Sequence, residues 1–100
     1  MRVELRDEAR GDLADGAWFY DRQKEGLGDY FIDCVASDLA KLESEFGIRV
    51  IAFGFHRKLV ERFPFAIYYL VTASIVDVVA VLDCRRDPDE IEKRLGRTNR

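Results

Sequence analysis

Apolar residues recur at spacings of three and four through the first half of the chain, then crowd into short β-branched and aromatic runs in the second half. Arg2–Leu5 reads as a short strand with Val3 and Leu5 on one side. From Glu8 to about Lys24, Ala9, Leu13, Ala17 and Tyr20 form one apolar stripe, the signature of an amphipathic helix. Asp7 offers an N-cap, although Arg10 stands where a capping box would carry an acid. Gly11 and Gly16 weaken this helix by roughly 1 kcal/mol each against alanine if they are interior. Glu25-Gly26-Leu27-Gly28 breaks it. The stripe then restarts as Leu27, Phe31, Val35, Leu39, Leu42 and Phe46, continuous over a second helix that Gly47 ends. Two amphipathic helices around a short glycine turn imply an antiparallel helical hairpin.

After Ile48 the pattern predicts strands at 58–63, 65–72 and 75–82. Pro64 separates the first two runs and Ala73-Ser74 the last two, connections short enough for an antiparallel meander. Strict alternation in the last strand places Val76, Val78, Ala80, Leu82 and Cys84 on one face, with Asp77 and Asp83 on the other. Asp87-Pro88-Asp89-Glu90 opens a third helix with Asp87 as cap and Pro88 at the first position. Ile91 and Leu95 are its apolar contacts and Gly96 its end. The expected fold is α+β, in the order β-α-α-β-β-β-α, with the helical hairpin on one face of a curled, mainly antiparallel sheet. It is one domain over residues 1–96, followed by a basic tail at 97–100.

Composition narrows the function classes. With 48% apolar and 35% charged residues in 100, the chain is an ordinary globular domain. No apolar run approaches the roughly 18 residues of a membrane span, and the N-terminus has no signal-like region, which implies the cytoplasm and no membrane partner. Cys34 and Cys84 are isolated thiols, and with one histidine they make no recognisable metal site. No cofactor and no metal are expected. Residues 1–48 hold six basic and twelve acidic side chains, net −6; residues 49–100 hold ten and seven, net +3. That sorting suggests a basic surface built from the second half.

Two stretches carry a resemblance. Phe55-His-Arg-Lys-Leu-Val-Glu-Arg-Phe-Pro-Phe-Ala-Ile-Tyr-Tyr69 and Ala80-Val-Leu-Asp-Cys-Arg-Arg-Asp-Pro88 are similar to the RelE/ParE toxin family's basic pair, aromatic strand and basic Asp-Pro ending. Ala9, Leu13, Trp18-Phe19-Tyr20 and the Gly26–Phe31 segment agree more loosely, so the resemblance spans nearly the whole chain. Asp83 stands where the family often has histidine, and Phe65 where it usually has tyrosine. The resemblance implies the toxin component of a bacterial type II toxin–antitoxin system. Its partner would be a small cognate antitoxin, of the ribbon-helix-helix ParD-like kind, in a toxin–antitoxin hetero-oligomer. The Arg-Arg-Asp-Pro ending favours the ParE-like branch, which inhibits DNA gyrase. The alternatives are a RelE-like endonuclease acting on ribosome-bound mRNA, and a non-toxic binding module with the same fold.

Cleaving RNA requires a base, an acid and positive charge around the phosphate. Arg57, Lys58, Arg62, Arg85 and Arg86 are the candidate target-binding cations, expected to gather on one rim where strand ends meet. Each has a structural reading beside it, such as Arg85 paired with Asp83 or Asp77. His56 is a weak candidate for catalysis, being the one residue with a suitable ordinary pKa. No tyrosine or lysine follows Leu95 where RelE-like enzymes carry a catalytic residue. Asp12, Asp15, Asp33 and Asp38 read as solvated helix faces, and Trp18-Phe19-Tyr20 as packing between helices. The sheet's second face is expected to expose apolar residues that an antitoxin segment covers.

Overall fold

The computed structural model describes residues 1–47 and 50–96; the basic tail expected at 97–100 lies outside the described residues. The elements are β1 (Arg2–Leu5), α1 (Asp7–Gln23), α2 (Leu27–Glu45), β2 (Val50–Ala52), β3 (Phe55–Leu59), β4 (Phe65–Val71), β5 (Ile75–Asp83) and α3 (Pro88–Gly96). The five strands lie in the order β1-β5-β4-β3-β2. β1 runs parallel to β5, and every other neighbouring pair is antiparallel. The α+β class and the hairpin-on-sheet arrangement agree with the hydrophobic pattern.

One strand was absent from that pattern. β2 pairs with β3 through Val50↔Arg57, Ile51↔His56 and Ala52↔Phe55. The turn between them is Phe53-Gly54, with φ of 55° and 84°. Positive φ at both central residues suits the right-handed twist of a tight hairpin. Phenylalanine, in place of the usual asparagine or aspartate, hides the turn. β3 therefore begins at Phe55 rather than 58 and ends at Leu59, and Arg62 turns the chain with φ 70°. At α1, Arg6 rather than Asp7 is the N-cap, in extended backbone with no side-chain cap. Asp21 fastens the α1–α2 turn, its Oδ1 accepting from the Gly26 and Gly28 amides at 3.1 and 3.0 Å. A Cβ on Gly28 would run into the Ala17 carbonyl, so the helices close tightly there.

Two cores share the sheet. On one face Phe31, Val35 and Leu42 of α2 and Ala9 and Tyr20 of α1 pack on Phe65, Ile67, Tyr69, Val76, Val78 and Val81. On the other, Ile91 and Leu95 of α3 pack on Phe55, Ala66, Tyr68, Val79, Ala80 and Leu82. The expected single-faced run from Val76 to Cys84 is thus broken. Tyr68 pairs with Ala80 and Tyr69 with Val78, leaving Val79 as an extra residue. That bulge exchanges the faces beyond it, so Ala80, Leu82 and Cys84 turn to α3 while Val81 turns to the hairpin. The second face is not left wet at its centre, where α3 covers it, although Leu59 at the end of β3 stays 58% exposed.

Candidate functional site

Strand alternation separates the basic pair of β3. Lys58 shares a face with His56 and points to the helical hairpin, where its Nζ lies 3.4 Å from Asp38 Oδ1. Asp38 is 1% exposed and its other oxygen accepts the Glu61 amide at 2.9 Å. Lys58 is thus a counter-ion of a buried carboxylate, shared with Lys41 at 3.6 Å. Arg57 points to the opposite face, where its Nη2 donates to Cys84 Sγ at 3.5 Å and the guanidinium also bonds Tyr68. Those two bonds outweigh the burial that opposes its charge, and its pKa rises. The Tyr68 hydroxyl is pushed up by its burial, which Arg57 only partly opposes.

The remaining cations are scattered too. Arg62 donates to the Tyr30 hydroxyl at 3.0 Å beside α2. Arg85 makes a two-pronged contact with Asp83, at 3.0 and 2.7 Å, and those hydrogen bonds hold the Asp83 carboxyl below its ordinary range. Arg86 is exposed and its side chain has no hydrogen bond or ion pair among the described residues. The five cations do not form the single rim expected of them. Arg57 and Arg86 come together; Lys58, Arg62 and Arg85 are each engaged elsewhere.

Arg57 and Arg86 line a cleft of about 220 Å³ between the β2–β3 turn and the start of α3, with Ala52, Phe53, Tyr68, Cys84, Pro88 and Ile91. Among the described residues no carboxylate lines it. Arg86 also borders a second cleft, of about 450 Å³, between α1 and the end of β5. Asp12, Asp15, Asp83 and Arg85 lie there against Gly16, Phe65 and Val81. Within it the charges are largely matched, since Arg85 holds Asp83 and Arg94 grips Asp12 at 2.6 and 2.8 Å.

His56 stacks on its cross-strand partner Tyr69, ring centroids 5.1 Å apart, and its Nδ1 is buried without a hydrogen-bond partner among the described residues. It lies on the other side of the sheet from the Arg57–Arg86 cleft. The titratable groups lining that cleft are Tyr68, which holds its proton more tightly than usual, and Cys84. The arrangement can hold an anion; it presents no carboxylate or imidazole to move a proton.

Asp12 and Asp38 correct the reading of both as solvated. Asp12 takes the Val81 amide at 2.9 Å, just past the last β1 partner at Val78, and is 9% exposed. Of the Trp18-Phe19-Tyr20 cluster only Tyr20 packs inward, against Phe31, Phe63 and Phe65. Trp18 is 63% exposed under the Arg22 guanidinium and Phe19 is 48% exposed. Among the described residues no group of three or more His, Cys, Asp or Glu is placed to hold a metal, and no helix is long and apolar enough to cross a membrane.

No family model and no curated protein matches the chain. Among solved structures it is similar to a chain of the "Chromosomal ParDE TA system from P. aeruginosa", at 15% identity and a TM-score of 0.61. The likeness covers 81% of this chain and 92% of that one, so the two share one fold over nearly the whole domain.

Proposed function

We propose that this chain is the toxin of a bacterial type II toxin–antitoxin system, working in the cytoplasm and neutralised by a small ParD-like antitoxin in a hetero-oligomer. The observation that carries this reading is the shared fold with a chain of a ParDE system across 92% of that chain's length. The family-like stretches at 55–69 and 80–88 support it from the sequence. The aromatic surface of the helical hairpin offers the antitoxin a landing place, since Trp18, Phe19 and Tyr30 are all exposed.

Within this reading the chain binds DNA gyrase rather than cutting RNA. Positioned proton transfer contributes roughly 10²–10⁴ to such a rate, and His56 is stacked beneath the hairpin, across the sheet from the paired arginines. Arg57 and Arg86 are the foremost target-binding residues because they share one cleft, ahead of Lys58 and Arg85, whose charges are paired with aspartates, and of Arg62, which stands apart at Tyr30. The test is induction of the chain with and without the neighbouring reading frame, followed by two assays on purified protein. Growth arrest relieved by the neighbour, with supercoiling by gyrase blocked and messages intact in a reconstituted translation system, is the expected result. Codon-specific cuts abolished by His56→Ala would move the chain to the RelE-like branch. Harmless expression indifferent to the neighbour would leave only a binding module.

A further inference from the structure

Four aspartates among the described residues are paired with cations, which leaves a remainder. Asp77 answers Arg6, Asp38 answers Lys58, Asp83 answers Arg85 and Asp12 answers Arg94. Arg57 and Arg86 make no direct ion pair among the described residues, although the charge of Arg86 is felt at Asp83, and they border one cleft. Arg57 is also half-buried, held only by neutral groups. A half-buried guanidinium with no carboxylate in contact is costly. An anion seated in the cleft would relieve that cost through charge-assisted bonds to both arginines.

The surroundings decide which anion. Arg86 also borders the α1–β5 cleft, where Asp12, Asp15 and Asp83 stand. Asp87, Asp89 and Glu90 follow directly in the chain. A nucleic-acid backbone needs a continued run of cations to release its counter-ions, and here carboxylates flank the pair. The other walls are Ala52, Phe53, Pro88 and Ile91, apolar and fit for an aliphatic neighbour of a single charge. Phe53 stands there in left-handed backbone, φ 55°, a conformation bulky residues rarely adopt.

We infer that the Arg57–Arg86 cleft is an acceptor for one aspartate or glutamate side chain of a protein partner, its carboxylate between the guanidiniums and an adjoining apolar residue against Phe53 and Ile91. The donor is the antitoxin, an assignment that rests on the toxin–antitoxin reading. The binding itself does not.

The probe is the capped peptide acetyl-Ala-Leu-Glu-Leu-Ala-amide, titrated into the ¹⁵N-labelled chain while the Nε–Hε signals of Arg57 and Arg86 are followed. The glutamate peptide should shift both signals, and its glutamine counterpart should bind at least tenfold more weakly. Arg57→Gln and Arg86→Gln should each lose tenfold or more while the backbone spectrum stays native. The complex with the neighbouring gene's product should no longer take up the peptide. Equal binding of both peptides, or tighter binding of a ten-nucleotide RNA than of the glutamate peptide, would overturn the site. Peptide uptake by the preformed complex would overturn the donor, and neither result depends on whether the chain is toxic.

Discussion

Two aspartates hold this fold at points where the sequence suggests water. On α2 the buried positions run Phe31, Val35, Asp38, Leu42, so Asp38 sits in phase with the core. Asp12 likewise falls between Ala9 and Gly16 on the buried side of α1. The phase of the stripe was therefore readable, but residue type argued against it, because aspartate is rarely buried unless paired. Its partners, the Val81 amide and Arg94, lie 69 and 82 residues away, beyond any local pattern. Asp12→Ala should cost about 3–5 kcal/mol in urea unfolding, since it strands Arg94 and an edge amide together. Asp12→Leu with Arg94→Met should recover much of that loss; a double variant no better than the single one would show that the pair is not coupled. At Asp83 the effect is one of pH. Its folded pKa is lowered by Arg85, so its contribution is full above the ordinary aspartate range, near 3.9, and is lost as pH falls through the folded value. Asp83→Asn should flatten that acid limb only slightly, because the pair is largely solvent-screened. An unchanged acid limb in the variant would mean the pair carries no linkage.

At the scale of elements, the long periodic segments were legible and the irregular ones were not. Both helices of the hairpin, β4, β5 and α3 fall within a residue or two of the pattern, because each buries a regular stripe. β2 is three residues long and closed by an uncharacteristic turn, so it leaves no periodic trace. The bulge at Val79 is invisible because every residue from Val78 to Leu82 is apolar, and a run buried on both faces does not reveal its alternation. The faces of Arg57 and Lys58 follow from strand alternation once β3 is placed, but which partner awaits each depends on Asp38 and Cys84. Glycine shows the same dependence on packing within a single helix. A Cβ on Gly16 would stand 2.7 Å from Phe31 Cε2, in a ring cluster with no room to yield, whereas one on Gly11 meets nothing within 4 Å. Gly16→Ala should therefore destabilise by about 1–3 kcal/mol through overpacking. Gly11→Ala should stabilise by up to about 1 kcal/mol through helix propensity. Thermal unfolding of the two variants checks this, and shifts of the same sign would refute the packing seen between α1 and α2.

Taken whole, the molecule sorts its charge along the chain. The acidic first half and basic second half meet in the interior, as Asp12 with Arg94 and Asp38 with Lys58, so folding draws two of the second half's cations away from the expected basic face. The same pairing joins the two cores. Asp12 reaches from α1 of the hairpin core to the β5 backbone and on to Arg94 of α3, while β4 and β5 send alternate side chains into both cores. With the two central strands shared by both cores, neither side has a boundary along which to open first, and the domain should unfold in one step. Leu95→Ala tests this from the far end, since Leu95 is 1% exposed and lies wholly in the α3 core. Its truncation should cost about 2–5 kcal/mol. Far-UV circular dichroism, dominated by α1 and α2, should move to lower urea together with a tyrosine signal that reports Tyr68. If the dichroism midpoint stays at the wild-type value while the tyrosine midpoint falls, α3 and its face of the sheet form a separate unit. The bridge through Asp12 would then be too weak to unite the two cores.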